Sequence, residues 1–262
     1  SEDHPHIAIT LNNLGQAYAF QGRFLESEQQ HNQALAMRRR LFGVEHPDIA
    51  QSLANLGDLY REQGKYFQAK EYSLAALAMR RKFLGENHLD VAQSLNSLAA
   101  IYTSKGEYLK AEDTYLSTLD ILKSLLGESH PDIANNWNNI AELYRKQGRY
   151  NDAEQKLLEV YEMRNIFLGN EHPDIVYTLN SIAETYRLQG RYHEAELKYL
   201  EALDMGKRLL GDNHPDVINI LNSLAVFYEF QGNYVKAEST LQQVLKFTKK
   251  IFGNEHPLSR VL

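Results

Sequence analysis

The sequence predicts an all-α protein, folded as a solenoid of about six helix–turn–helix units that are each 42 residues long. Self-similarity at a fixed period is the sequence signature of a repeat architecture, and three sets of residues share this period. Histidines, called ladder histidines below, recur at His4, His46, His88, His130, His172, His214 and His256. Glycines recur in two series, Gly22, Gly64, Gly106, Gly148, Gly190 and Gly232, and Gly43, Gly85, Gly127, Gly169, Gly211 and Gly253. All six prolines directly follow a ladder histidine, and only Leu89 replaces proline there.

The composition narrows the class of protein. Of the 262 residues, 43% are hydrophobic, which is ordinary for a soluble globular chain. No apolar run approaches the roughly 18 residues that span a bilayer, so we expect no membrane partner. Cysteine is absent, which excludes disulfides and thiol chemistry, and we expect a cytoplasmic protein. The net charge of −6 argues against a nucleic-acid partner, which would require a basic surface.

The period divides the chain into six complete units. They comprise residues 4–45, 46–87, 88–129, 130–171, 172–213 and 214–255, and residues 256–262 begin a seventh unit. Stacked units form one continuous body, so we predict a single domain over residues 1–262. Solenoids usually end in atypical polar caps, and none is apparent here, which predicts that the chain is a fragment of a longer protein.

The unit 46–87 shows why each repeat should begin with a helix. Proline is favoured at the first helical position because its missing N–H needs no partner there, so His46-Pro47-Asp48 predicts a helix start. Asp48 places a negative charge against the positive end of the helix dipole. Apolar residues then recur at helical spacing through Ile49, Ala50, Leu53, Leu56, Gly57 and Tyr60. Gly64 is predicted to end this helix as a left-handed residue.

A second helix is predicted from about Tyr66 to Leu84. Its apolar positions are Ala69, Tyr72, Ala76, Leu77 and Phe83, and Gly85 ends it. Arg80-Arg81-Lys82, like Arg38-Arg39-Arg40 in the preceding repeat, fills the last turn, where cations suit the helix dipole. The alternative for these two basic clusters is contact with an anion on the outer face. No strand pattern appears, so each unit is predicted to be a pair of helices.

Several of these residues resemble the signature of the tetratricopeptide repeat. They are Leu53, Leu56-Gly57, Tyr60, Gly64, Tyr66, Ala69 and Ala76. The longer period, with Leu-Asn-Asn-Leu at 11–14 or Trp-Asn-Asn-Ile at 137–140, is similar to the repeats of kinesin light chains and nephrocystin-like proteins. The resemblance implies a right-handed superhelix whose first helices line a concave groove. It is specific for the fold and says little about function, because one scaffold serves many partners.

The ladder histidines do not predict a metal site. Histidine ligands must converge on one ion at about 2.0–2.1 Å, whereas equivalent points on packed helices are at least roughly 8–10 Å apart. We therefore predict that these histidines bond backbone groups where the first helices begin. No catalytic triad, phosphate-binding loop or paired metal-ligand motif is visible. We expect no catalytic residue, no metal and no cofactor.

Asparagines recur on the first helices, in the groove that the resemblance implies. One column reads Asn12, Ala54, Asn96, Asn138, Asn180, Asn222, and the next reads Asn13, Asn55, Ser97, Asn139, Ser181, Ser223. Asparagine costs roughly 0.5–0.7 kcal/mol against alanine inside a helix. Its amide both donates and accepts, so a column could hold the backbone of an extended peptide. The alternatives are that duplication copied an asparagine without a role, or that it bonds between repeats.

Charged and aromatic side chains complete the predicted groove. Arg61, Arg145, Lys146 and Arg187 alternate with carboxylates, and repeats four and five are the most basic stretch. Tyr177 adds an aromatic ring. The predicted groove residues are Asn12, Asn13, Asn55, Arg61, Asn96, Asn138, Asn139, Arg145, Lys146, Tyr177, Asn180, Arg187 and Asn222.

These observations predict a scaffold or adaptor module without catalytic activity, which binds a partner protein or an extended peptide in the groove. One alternative is a regulatory or sensor arm of a larger multidomain signalling protein or enzyme. Another is end-to-end self-association, because uncapped ends can stack. RNA binding by a helical repeat is disfavoured by the period and by the mixed charge of the groove.

Overall fold

The computed structural model describes residues 3–252, which contain twelve α-helices and no strand. The first helices of the six repeats are α1 (Pro5–Phe20), α3 (Pro47–Glu62), α5 (Leu89–Ser104), α7 (Pro131–Lys146), α9 (Pro173–Leu188) and α11 (Pro215–Phe230). The second helices are α2 (Phe24–Phe42), α4 (Tyr66–Leu84), α6 (Tyr108–Leu126), α8 (Tyr150–Leu168), α10 (Tyr192–Leu210) and α12 (Tyr234–Phe252). The all-α class and the six helix pairs are confirmed. His256 and the predicted start of a seventh repeat lie outside the described residues.

Ladder histidines cap the first helices. In each of the six described repeats, Nδ1 of the histidine accepts a hydrogen bond from the backbone N–H two residues further on, at 3.0–3.2 Å. His46, for example, has extended backbone with φ of −160° and accepts from Asp48. A helix start leaves four N–H groups without an intrahelical partner, and this bond satisfies one of them. The predicted backbone role is thus confirmed, and within residues 3–252 no group of three or more His, Cys, Asp or Glu could hold a metal ion.

The turn between the two helices requires a left-handed residue. Gly64 has φ of 71°, which glycine adopts without strain. Beyond it, the Lys65 N–H donates to the Tyr60 carbonyl oxygen at 2.8 Å, while the Gly64 N–H donates to Arg61 at 3.0 Å. These bonds form a Schellman motif, which ends the first helix at the predicted place.

The helices group into two compact units, Ser1–Asn136 and Trp137–Leu262, with the boundary inside α7. In the first unit, Leu35 of α2 packs in one cluster with Ile49, Leu53 and Leu56 of α3. The second unit has the same arrangement, with Met205 of α10 packed in one cluster with Ile220 of α11. None of the described helices combines the length and the apolar character that a membrane-spanning helix needs. The single domain over residues 1–262 stays a prediction.

Buried arginines join neighbouring repeats. Nη1 of Arg80, near the end of α4, donates to the Asp90 carbonyl oxygen at 2.9 Å and to Oγ of Ser94 at 2.7 Å, both in α5. Its Nη2 donates to Oε1 of Gln51 at 2.8 Å. Arg80 is only 2% exposed, so these bonds compensate for the burial of its charge. We call this arrangement of arginine, carbonyl oxygen and hydroxyl the arginine joint.

Two further arginine joints occur in the described chain, and the hydroxyl varies together with the arginine. Arg38 bonds Asp48 and Ser52, and Arg164 bonds Asp174 and Thr178. The residues at the arginine position are Arg38, Arg80, Leu122, Arg164, Gly206 and Thr248, and those at the hydroxyl position are Ser52, Ser94, Asn136, Thr178 and Ile220. Where leucine or glycine replaces the arginine, the facing hydroxyl is also replaced. The two partners therefore occur as a matched pair.

The arginine joints correct the interpretation of the two basic clusters. Arg38 and Arg80 are 5% and 2% exposed, so neither presents its charge on an outer face. Of the other cluster residues, Arg40 pairs with Asp3 and Lys82 pairs with Glu45. The predicted role at the helix end is incomplete for Arg38 and Arg80, because each also makes specific hydrogen bonds to the next repeat.

Candidate functional site

The asparagine column does not form one exposed surface. Asn12 is only 5% exposed, and its Nδ2 donates to Oγ of Ser52 in the next repeat at 3.2 Å. Its Oδ1 lies 3.0 Å from Nδ1 of the buried His31. Asn96 is half-buried and accepts a bond from Nδ2 of Asn136 at 2.9 Å, again in the next repeat. In the first unit these asparagines therefore bond between repeats, and both polar atoms of the buried Asn12 are already engaged within the chain.

Two asparagines of the second unit differ from these. Asn138 is 4% exposed and Asn180 is half-buried, and the Oδ1 atoms of both are buried without a hydrogen-bond partner in the described part of the chain. They occupy equivalent positions in successive repeats. A buried acceptor without a partner costs about 1–3 kcal/mol, so such atoms need an explanation. Asn222, at the next equivalent position, is exposed.

Arginines of the second unit are largely neutralised by carboxylates. Arg187 donates through Nε and Nη2 to both carboxylate oxygens of Glu184, at 2.9 and 2.5 Å. Arg145 has a side chain only 14% exposed and pairs with Glu142. Lys146 is the most accessible cation of the three predicted groove cations here, with 46% of its side chain exposed. The predicted basic stretch is therefore close to balanced in charge.

The protonation states in this cluster are fixed by burial and hydrogen bonds. Burial alone would raise the pKa of Glu184, but hydrogen bonds from Arg187 and Tyr199 outweigh it and hold that pKa below its usual range. Burial, together with the nearby Glu184 carboxylate, raises the pKa of Tyr199, whose hydroxyl donates to Glu184 at 2.6 Å. Burial lowers the pKa of Arg145, and Glu184 opposes that shift. Glu184 thus stays ionised and Tyr199 stays a donor near neutral pH, which suits binding rather than proton transfer.

A shallow cleft of about 240 Å³ lies at this cluster, lined by Glu142, Arg145, Lys146, Glu184 and Leu188. Exposed apolar side chains also lie on the first helices of the second unit. Tyr177, Val226 and Phe230 are 54%, 55% and 60% exposed. The Phe230 ring lies 5.7 Å from the Tyr192 ring and 5.9 Å from the Arg187 guanidinium. This face of the second unit therefore offers apolar contact and paired charges, and the two unsatisfied amide oxygens are buried beneath it. We call it the first-helix face.

The remaining predicted groove residues are not among those that line this cleft. In the first unit, Asn13 is exposed, and half-buried Asn55 accepts from Gln51 at 2.8 Å. Arg61 lies 3.9 Å from Asp58, with a third of its side chain exposed. Asn139, in the second unit, is half-buried.

Tyr199 contacts this cluster but was not indicated by the sequence. Its equivalents in the other repeats are His31, Ser73, Tyr115, Leu157 and Leu241, so no periodic signal marks it. The pairing of Glu142 with Arg145 and of Glu184 with Arg187 has a recognisable signal, because residues three apart are neighbours on a helix.

Comparison with protein families finds a match to the tetratricopeptide repeat. Its sequence model matches residues 6–82, 48–124, 90–166, 132–208 and 174–250. Successive matches begin 42 residues apart (48 minus 6, for the first two), which is the period of the ladder histidines. No curated protein matches the chain by sequence.

Solved structures share the fold at low sequence identity. A Podosopora anserina protein described as a kinesin light chain with nearly identical TPR-like repeats is 24% identical, with a TM-score of 0.59 and 79% of this chain and 98% of that chain covered. BtubC (BKLC) from P. vanneervenii is 23% identical, with a TM-score of 0.65 and coverages of 79% and 82%. NprR in complex with its cognate peptide NprX is 16% identical, with a TM-score of 0.69 and coverages of 98% and 72%.

Proposed function

The chain belongs to the tetratricopeptide repeat family, and from that premise we propose that it is a protein-interaction module whose second unit binds an extended peptide segment of a partner. The module acts as a scaffold or adaptor and has no catalytic activity of its own. A cytoplasmic location stays an expectation from the absence of cysteine.

The observation that carries this proposal is the pair of unsatisfied oxygens on Asn138 and Asn180. Both are acceptors, so the missing partner must be a donor. An extended peptide presents backbone N–H groups at regular intervals and needs no particular side chain to do so. Both oxygens are buried in the free chain, so the two amide groups must rotate toward the first-helix face before such a peptide can satisfy them and recover the free energy that their burial costs.

Two further features support a peptide on this face. Tyr177, Val226 and Phe230 provide apolar area to bury, and aromatic anchors commonly dominate binding energy. The paired charges of Glu142, Arg145, Glu184 and Arg187 favour a ligand of mixed or low charge, with Lys146 as the accessible cation. NprR, which shares the fold, has a structure with its cognate peptide.

The test begins with selection of peptides from a random display library against the purified chain. Titration calorimetry then compares the wild-type chain with a double variant, Asn138→Ala with Asn180→Ala. Each lost hydrogen bond is expected to weaken binding by about 0.5–1.5 kcal/mol, so the double variant should bind on the order of tenfold more weakly. Asn32→Ala, an exposed asparagine of α2, is the matched control and should bind normally. Equal affinity of the double variant and the wild type would place the peptide elsewhere.

A second candidate function, end-to-end association of two copies, is favoured by the surface of α1. Ile7 and Leu14 are 42% and 40% exposed, whereas Ile49 and Leu56, their equivalents in α3, are fully buried. We propose that the last helix pair of a second copy covers this apolar surface as each repeat covers the next. Sedimentation velocity should then show association that rises with concentration and is lost in Ile7→Gln with Leu14→Gln. A chain that stays monomeric at every concentration contradicts this candidate.

A further inference from the structure

The joint between the third and fourth repeats lacks the arginine and contains a cavity. Leu122 occupies the position of Arg38, Arg80 and Arg164. A cavity of about 300 Å³ lies beside it, and its lining includes Asp90, Gln93, Asn96, Leu122 and Asp132. All of these residues belong to the first unit.

The acceptors that bind the arginine elsewhere are retained in this joint. In the preceding joint, Arg80 donates to the Asp90 carbonyl oxygen and to Oε1 of Gln51. Their equivalents, Asp132 and Gln93, both line the cavity. The fold therefore presents a carbonyl oxygen and a side-chain amide oxygen at a place where no arginine of this chain stands.

Asn136 provides the third acceptor. It takes the place of Ser94, which accepts a bond from Arg80 in the preceding joint. Asn136 is fully buried, and its Nδ2 donates to Asn96, a residue of the cavity wall. Its Oδ1 has no hydrogen-bond partner within residues 3–252. Asn136 does not itself line the cavity, but its partner Asn96 does. Its oxygen stands at the position where Ser94 accepts from Arg80, so the lack of a donor indicates a missing group that carries N–H.

The charge of the cavity indicates a cation. Asp90 and Asp132 contribute to its wall, and neither lysine nor arginine does among the residues that the structure describes there. Asp90, Gln93 and Asp132 are exposed, so the cavity can be reached from solvent.

We propose that this cavity binds a guanidinium group supplied by a ligand, in the place that an arginine side chain fills in the three arginine joints. A guanidinium is planar and carries five N–H donors in fixed directions, which suits acceptors that approach from separate sides. An ammonium has a compact charge and stronger hydration, and fits such an arrangement less well. The group can come from a small guanidinium compound or from an arginine of a partner peptide. The site is separate from the first-helix face of the second unit.

The first experiment titrates the whole chain with methylguanidinium chloride and, at equal ionic strength, with methylammonium chloride. Side-chain amide resonances of Gln93 and Asn136 are followed by ¹H–¹⁵N NMR. We expect a saturable shift with methylguanidinium. Methylammonium should bind at least about tenfold more weakly, because it forms fewer hydrogen bonds. End-blocked Gly-Arg-Gly distinguishes the sources: tight binding assigns the group to a partner's arginine, and binding of methylguanidinium alone assigns it to a small molecule. Absence of a saturable shift with both guanidinium probes overturns the proposal.

Two variants test the place of binding. Leu122→Arg with Asn136→Ser rebuilds the arginine joint from within, so methylguanidinium binding should be lost while the melting temperature rises. Arg80→Leu with Ser94→Asn should create a second such cavity and add a response at the Gln51 side chain. Retained binding at Gln93 in the Leu122→Arg variant, with an unchanged circular dichroism spectrum, would show that the cation binds elsewhere and would overturn the proposal.

Discussion

His31 shows how a single residue makes the interior of one repeat differ from the others, although all six repeats share the same pair of helices. It is 1% exposed and packs where a Cβ on Gly15 would lie 2.8 Å from its ring. Its Nδ1 lies 3.0 Å from Oδ1 of Asn12, which in turn bonds Ser52 of the next repeat. The first repeat thus uses a buried polar network at a position where the other repeats place serine, tyrosine or leucine.

Burial of His31 makes the stability of the chain depend on pH. Burial lowers the pKa of His31 from 6.5 to about 4 in the folded chain. The unfolded chain therefore takes up a proton near pH 6.5 that the folded chain refuses until about pH 4, so stability falls as the pH drops through this window. We expect wild type to lose about 2 kcal/mol more than His31→Gln between pH 7 and pH 5. Urea unfolding at both pH values checks this, and equal losses would contradict it.

The ladder histidines act at the scale of the helix, because each sets the start of one first helix. Replacing His46 by alanine removes the acceptor for the Asp48 N–H, and we expect a loss of about 1 kcal/mol in the free energy of unfolding. His46→Asn should retain most of the stability, since asparagine is a good cap. Urea denaturation measures both variants. A His46→Asn variant as unstable as His46→Ala would show that the ring acts through packing on Phe42, which it stacks at 4.2 Å.

The arginine joint determines how firmly one helix pair holds the next. Replacing Arg80 by leucine leaves the Ser94 hydroxyl and the Gln51 amide oxygen without their buried donor, and we expect a loss of about 2–4 kcal/mol in the free energy of unfolding. Arg81→Leu is the control, since Arg81 is exposed and such changes usually stay within about 0.5 kcal/mol. Chemical denaturation of both variants decides between a specific bond and a general helix-end charge. Equal losses of stability in Arg80→Leu and Arg81→Leu would contradict a specific role of the arginine joint.

The elements could be predicted from the sequence, whereas the partners of buried polar groups could not. The bounds of α4 follow from apolar spacing and from glycine at its end, which are local signals. Asn12 and Arg80 look like exposed helix residues in the sequence, because their partners Ser52 and Ser94 lie in the next repeat. Only packing brings these residues together. One signal was available: arginine and hydroxyl change together along the chain.

At the scale of the whole molecule, the period predicts the class of fold and the number of helix pairs. It does not predict the polar side chains inside each unit, which differ between the two units. The first unit has paired asparagines and the cavity beside Leu122. The second unit has unsatisfied asparagine oxygens and the balanced charges around Glu184. These differences depend on single substitutions at repeated positions. A consensus of the six repeats does not show them, because each occurs in only one or two repeats.

The paired arginine and hydroxyl also limit which repeats the gene could lose or exchange. A repeat cut at its ladder histidine carries the hydroxyl for the joint before it and the arginine position for the joint after it. Deletion of residues 46–87 would set Arg38 against Ser94 and keep a matched pair, whereas deletion of residues 88–129 would set Arg80 against Asn136. We expect the first shortened chain to melt at the higher temperature, which calorimetry can check. Unequal crossing-over between repeats would then be tolerated only at breakpoints that keep arginine and hydroxyl paired. The pattern of matched and unmatched joints would record which repeats had been duplicated or lost.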